Sequence, residues 1–291
     1  MFDIEKLKEI KRTAIVALFS DDDLMESLVL KGGNALDIVY GIAQRASLDL
    51  DFSIDKEFNR SELSRIKEKI QKLLEETFKA RGYEVFDFQF LEVPECLKAA
   101  APEFWGGYLI QLKIIETTKY ENLRSAPRAL RVNALEVGPN HKRVFKISIS
   151  KLEYCASKRE TDLDDYTIYV YSPEMIVFEK LRAICQQMPE YTLNATKTAR
   201  ARDFFDIYTV MEHFEMDLTS PDNTGLLKHM FEAKQVSVSL IRDIEAYREY
   251  HRPDFVSVEA TAKPSIELKP FDFYFDYVVE KCKRLHTLWK I

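Results

Sequence analysis

The sequence predicts an α/β (α+β) chain: a mixed-sheet domain over residues 1–165, then a helical bundle over residues 166–291. Three observations carry that reading. The run "ESLVLKGG" closes a short apolar stretch on two glycines, and helical spacing follows at Leu36, Val39, Tyr40 and Ala43. Leu48, Leu50, Phe52 and Ile54 then alternate strictly with polar residues, the period of a strand with one buried face. Beyond about Tyr166 the strand patterns stop and capped helical patterns take over.

The elements follow in order. The opening "MFDIEKLKEIKRTAIVALFS" is amphipathic and charged, without a signal-peptide core. "ESLVL" reads as a strand ending at the glycines, with a helix from Ala35 and a strand over Leu48 to Ile54. "SELSRIKEKIQKLLEETFKA" places Leu63, Ile66, Ile70, Leu73 and Leu74 on one helical side. Three strands begin at Tyr83, Gly107 and Val144, the last two joined by a long polar loop from Thr117 to Arg143. In the second part, Ser172 caps a helix with Pro173 at its first position. "ATKTARARDFFDIYTVMEHF" and "VSVSLIRDIEAYREY" read as helices. "RPDFVSVEATAKPSIELKP" reads as an extended linker to a final helix ending near Trp289.

Composition sets outer limits. With 291 residues, 46% apolar and 31% charged, the chain can bury a substantial core. No apolar run approaches the ~20 residues of a membrane span. Cys96, Cys155, Cys185 and Cys282 lack CxxC spacing and read as reduced, mostly buried thiols, so a cytoplasmic location is expected. The net charge of −6 does not advertise nucleic-acid binding, which would need a local basic patch. Lys142, Arg143, Lys146, Lys151, Lys158, Arg159, Arg200 and Arg202 are the candidates.

The stretch from Leu28 to Asp55 carries the chemistry. If Leu50 and Phe52 enter the core, Asp49 and Asp51 share the opposite face, about 6–7 Å apart along the strand. Two carboxylates so placed can converge on a hard divalent ion, Mg²⁺ or Mn²⁺, whose shell is usually completed by substrate phosphates. Gly32 and Gly33 leave bare N–H groups that an anion can approach closely at the start of a helix. Phosphate on one side, metal on the other and a nucleotide between is the arrangement this suggests. Neither the P-loop nor the dinucleotide fingerprint is present. Further on, Lys180 falls in line with Ile176, Ala183 and Ile184, and Asp203 lies one turn before Ile207. Both charges therefore point to sides that should be buried, either as a salt bridge to each other or as lining of a cleft. Arg202 and Asp206 have the spacing of an i,i+4 pair.

Taken together, "LKGGNALDIVYG…RASLDLDFSI", "EKLRAI" and "RARDFFDIY" resemble the AbiEii/AbiGii toxin family over roughly Leu28 to Phe214. These are nucleotidyltransferases of type IV toxin–antitoxin and abortive-infection systems, with a DNA polymerase β-like fold. The resemblance implies transfer of a nucleoside monophosphate from an NTP to an acceptor, the 3′ end of tRNA in relatives, blocking translation. It implies Asp49 and Asp51 as metal ligands, with Lys180 and Asp203 also needed for activity. Lys31, Gly32, Gly33, Asn34, Ser47 and Lys180 would be the nucleotide-binding set, and a cognate antitoxin a partner. Two departures stand out. Asn34 replaces the Ser or Thr usual after the glycines. On "VFKISIS", Lys146, Ser148 and Ser150 face the site, and Ser148 stands where the fold normally adds a third carboxylate. Asp203 could substitute for it. The rival readings are nucleotidylation of a protein or small molecule, and a non-catalytic nucleotide-binding module.

Overall fold

The computed structural model describes residues 3–45, 47–94, 102, 104–194 and 196–289. Cys96 lies outside them; Cys155, Cys185 and Cys282 are buried free thiols. Asp3 caps α1 (Ile4–Phe19), its carboxylate accepting from the backbone N–H groups of Glu5 and Lys6. A short helix, α2 (Asp22–Ser27), takes up Glu26 and Ser27, so the first strand β1 is only Val29–Lys31. The chain leaves β1 through Gly32 at φ +68°, a conformation that favours glycine. It winds directly into α3 (Gly32–Asn34), continued by a π-helical turn over Ala35–Val39.

The expected central elements follow: β2 (Leu50–Ser53), α4 (Leu63–Ala80), β3 (Tyr83–Val93) and β4 (Gly107–Glu116). The segment expected as a polar loop instead holds α5 (Thr117–Leu123) and α6 (Pro127–Val132) before β5 (Phe145–Ser150). Of these two helices only Leu130 is buried, so no apolar stripe marks them in the sequence. A hairpin, β6 (Arg159–Leu163) and β7 (Tyr166–Val170), was also not expected. Its two turn residues, Asp164 and Asp165, take left-handed φ values of 50° and 66°, which aspartate tolerates. Strands therefore continue to Val170.

Ser172 then caps α7 (Pro173–Cys185), its hydroxyl accepting from the Met175 N–H at 3.3 Å. Helices α8 (Ala201–His213) and α9 (Pro221–Glu232) pack on α7. The next expected helix is a 3-10 helix over Val238–Tyr247 running into α10 (Arg248–His251). The expected linker begins with a 3-10 turn (Arg252–Phe255) and α11 (Val256–Glu259), and α12 (Phe271–Lys283) closes the bundle.

Among the described residues, strands β1 to β7 form one mixed sheet in the order β3-β4-β5-β2-β1-β7-β6. β2 runs parallel to β5 and antiparallel to β1, which pairs Lys31 with Asp51 and Asp51 with Ser148. One face packs on the N-terminal helices. Leu50, Phe52, Ile147 and Ile149 are buried there, and Phe19 of α1 meets Phe52 at 6.1 Å between ring centroids. The alternation along β2 and β5 sends Asp51, Ser148 and Ser150 to the other face, where α7 lies.

This register makes a paired test. Phe52→Ala should cost about 3–5 kcal/mol in urea unfolding, because the cavity left behind is lined by packed core. Asp51→Ala, one residue away, should not lower stability. Equal losses at both positions would contradict the register.

Candidate active site

Three strands and one turn build the site. Gly32 emerges from β1 opposite Asp51, and a Cβ at Gly32 would stand 3.6 Å from Asp51 Oδ2. A Cβ at Gly33 would stand 3.0 Å from Ser47 Cβ and 3.2 Å from its hydroxyl. The glycine turn thus lies against the carboxylate strand at the distance where any larger side chain would begin to fill the gap. Lys31, Gly32, Gly33, Ser47, Asp49 and Asp51 all line one cavity of about 820 Å³. Lys180 and Asp203, far downstream, line it from α7 and α8. Ser148 and Ser150 lie on its sheet wall as the alternation of β5 requires.

Asp51 is the acid of the cavity whose carboxyl is held above its ordinary value. Burial pushes its carboxyl up to about 6; the negative charges of Glu179 and Asp49 add to the effect, while Lys31 and Lys180 oppose it. Asp49 is more open, with 42% of its side chain exposed, and its Oδ1 accepts from Lys142 Nζ at 2.8 Å. Lys142 is aimed by a tight turn. Asn140 and His141 both have positive φ, Val137 N–H donates to the Lys142 carbonyl, and the lysine stem lies 3.1 Å from where a Cβ of Gly138 would sit. Two partly dehydrated carboxylates facing a phosphate-sized cradle suit a hard divalent cation whose remaining ligands come from substrate. Among the described residues no group of three or more acids, histidines or cysteines is poised to hold a metal. Ser148, paired with Asp51, supplies no third carboxylate.

The opposite wall is a chain of ion pairs. Lys180 Nζ donates to Asp203 Oδ1 at 3.0 Å and to Asp206 Oδ2 at 2.6 Å. Arg200 Nε donates to Asp203 Oδ2 at 2.6 Å, and Arg45 makes a fork onto Asp206. Burial alone would raise both carboxyls, but the surrounding cations outweigh it and hold them below the usual range. Both Asp203 oxygens are therefore occupied by cations, so its substitution for a third metal ligand is not what this geometry provides. Asp206 pairs with Lys180 and Arg45, not with Arg202, whose Nε donates to the Ser257 hydroxyl. A second network lies deeper. Lys31 Nζ donates to Glu179 at 2.7 Å and to Ser150 Oγ at 3.1 Å, and lies 4.0 Å from Glu153. Glu153 also takes Arg182 at 2.9 Å and Lys234 at 3.4 Å.

Asn34 differs in placement from the other expected nucleotide-binding residues. It is fully buried, its oxygen accepts from Lys11 Nζ at 2.8 Å, and its amide donates to the Asp49 carbonyl and toward Ser47 Oγ. It braces the Asp49 loop from behind. Glu179, Glu153 and Arg45 also belong to the site surroundings and were not singled out by sequence, and Asp206 was read only as a partner of Arg202. Asp206 alone had a usable signal, lying one turn after Asp203. The basic candidates for an acceptor surface are mostly engaged. Arg143 pairs with Glu136, Lys151 with Glu57, Arg159 with Glu174, and Lys158 lies 3.7 Å over the Tyr169 ring. Lys146 makes no ion pair among the described residues.

Two measurements follow. Folded Asp51 keeps its proton to a higher pH than the unfolded chain, so stability falls as pH rises from about 4 to about 6 and stays lower above that. A rise from 3.8 to about 6 corresponds to a penalty on the order of 3 kcal/mol. Asp51→Asn should therefore melt several degrees above the parent protein at pH 7.5 in calorimetry, with the gap closing toward pH 4; a lower melting point would contradict it. Lys142→Met should tighten Mn²⁺ binding about two- to fivefold by titration calorimetry, since an exposed pair is worth ~0.2–1 kcal/mol.

The chain matches the family described as nucleotidyl transferase AbiEii toxin, type IV TA system, over residues 13–276. Its fold is similar to that of JHP933 from Helicobacter pylori, at TM-score 0.54 and 15% identity, covering 99% of this chain and 94% of that one. A candidate nucleotidyltransferase from H. pylori is similar at TM-score 0.51 and 15% identity, covering 98% and 95% of the two chains. At such identity the likeness establishes the fold. No curated protein matches the chain. Among the described residues no helix is long and apolar enough to cross a membrane. A match spanning nearly the whole chain, on a mixed α/β nucleotidyltransferase fold, shows that the protein belongs to the AbiEii nucleotidyltransferase toxin family.

Proposed function

We propose that this transferase moves a nucleoside monophosphate from an NTP onto the 3′ end of an RNA, tRNA foremost, and acts as a toxin restrained by a cognate antitoxin. Family membership supports the nucleotidyl transfer. The observation that carries the reading is the glycine turn seated against Asp51, with Asp49 beside it in one cavity. Gly32 and Gly33 would present backbone N–H groups to the triphosphate. Asp49 and Asp51 would hold Mg²⁺ or Mn²⁺, which when bound offsets charge at the reacting phosphate and eases deprotonation of the attacking hydroxyl. Lys180 would lend positive charge toward the leaving pyrophosphate, and Asp203 and Asp206 fix its ammonium at the cavity wall. Phosphoryl chemistry of this kind asks the protein mainly for positioning and charge neutralisation.

A second reading, transfer to a protein or small molecule, is favoured by one observation. Most basic residues expected to carry an RNA acceptor are tied up in ion pairs.

Incubation with each labelled NTP, Mg²⁺ and total tRNA separates the two. Label on RNA supports the main reading, and label on protein supports the second. In the same assay Asp49→Ala should lose transfer by at least a thousandfold while its circular dichroism is unchanged. Lys180→Ala should also lose activity, with a smaller loss of stability, because Asp203 keeps Arg200 and Asp206 keeps Arg45 as partners.

A further inference from the structure

The cavity that holds the glycine turn and Asp51 does not end at the sheet's serines. A second cavity of about 460 Å³ adjoins it, and Trp105, Ser148, Ser150, Glu153, Arg182 and Gln186 line both. The chemistry changes along this wall. The first end is made of carboxylates, lysines and bare glycine backbone. The second is made of the Trp105 and Phe104 rings, 6.3 Å apart and edge-on, above the start of β4.

Two glycines line this second cavity where neighbouring backbone approaches closely. A Cβ at Gly107 would lie 1.9 Å from the Ile149 carbonyl, and one at Gly106 would lie 2.2 Å from the Val93 carbonyl. No larger residue fits at either position without moving backbone. Arg182 on α7 and Gln186 just after its end also line the cavity. Among the described residues the Gln186 amide makes one long contact, 3.5 Å to the Tyr191 hydroxyl. Arg182 donates from its two terminal nitrogens to Glu153 and to the Met230 carbonyl, while its buried Nε has no partner among the described residues. A half-buried aromatic face, a backbone floor and the side-chain amide of Gln186 form a slot for a planar heteroaromatic ring with a polar edge.

Distance ties the slot to the phosphate end. Ser148 is the partner of Asp51, Ser150 lies two residues further along β5, and Gly107 pairs with Ser150 one strand over. That is roughly 7 Å along the strands and about 10 Å across them, within the span of one extended nucleotide. We propose that this second cavity receives the nucleobase of the incoming NTP, with Trp105 as its stacking platform and Gln186 reading its edge. The inference rests on the nucleotidyl-transfer reading and assigns the NTP's selectivity to residues outside the glycine and aspartate motifs.

The test compares Mg-ATP, Mg-CTP, Mg-GTP and Mg-UTP with Mg-tripolyphosphate, which has the phosphates and no base, by calorimetry on the full chain. Trp105→Ala should weaken the best-bound NTP about tenfold or more, the scale of one lost base–aromatic contact, and leave tripolyphosphate unchanged. Trp105→Phe should restore most of that affinity. Gln186→Ala should flatten the preference among the four NTPs. In a Trp289→Phe background, emission from Trp105 should be quenched by NTP and not by tripolyphosphate. The proposal is overturned if NTP affinity survives Trp105→Ala, if tripolyphosphate weakens in parallel, or if only the KM for RNA rises. Parent protein that binds neither NTP nor tripolyphosphate would overturn the nucleotidyl-transfer reading as well.

Discussion

The period of two along β2 decides where everything else can stand. Leu50 and Phe52 fill the core against α1, and that burial leaves Asp49 and Asp51 no position except the opposite face. A slip of one residue would bury both carboxylates and expose the core, an exchange the fold cannot accommodate. Because β1 is antiparallel to β2 and only three residues long, its end delivers Gly32 beside Asp51. The side chain that glycine lacks is the space a phosphate would use. Core packing and site geometry are thus consequences of the same register. The cleft that results holds the Asp51 carboxyl above its ordinary value, an effect that a divalent cation would offset with its positive charge.

The helical half is joined to the sheet through charge as much as through apolar packing. Lys31 on β1 reaches Glu179 on α7, while Glu153 after β5 gathers Lys31, Arg182 and Lys234. Lys180, Asp203, Asp206, Arg45 and Arg200 form a second knot between α7, α8 and the loop before β2. Buried charges of this kind add little net stability against an apolar alternative, yet removing one partner is costly because it strands the other. Such knots fix the angle of α7 over the sheet, and with it the cleft between them. Lys142 plays a looser part at the rim, where its ammonium rests on Asp49 in the position a metal ion would contest.

Legibility in the sequence followed the strength of local signals. The alternation of β2 and β5, the amphipathic stripe of α4 and the Ser172–Pro173 start of α7 were all readable, since each is a short-range pattern that tertiary packing then uses. The α5 and α6 helices had no stripe to read, with Leu130 their single buried residue. The β6–β7 hairpin turned on an Asp-Asp pair, a weaker signal than Asn-Gly, and sat in a polar stretch. At the site, the glycines and aspartates were legible because spacing alone brings them together. Glu179 and Glu153 were not, because their roles depend on which lysine and arginine the fold folds over them. Asn34 shows the opposite failure: its place after the glycines suggested phosphate, while its burial makes it a brace for the Asp49 loop.

The most direct test of the central claim is anomalous diffraction from crystals soaked with Mn²⁺ and a non-hydrolysable NTP analogue. The account predicts a manganese peak held by the Asp49 and Asp51 carboxylates, with the triphosphate lying over Gly32 and Gly33. Manganese bound elsewhere, or a triphosphate seated away from the glycine turn, would contradict it.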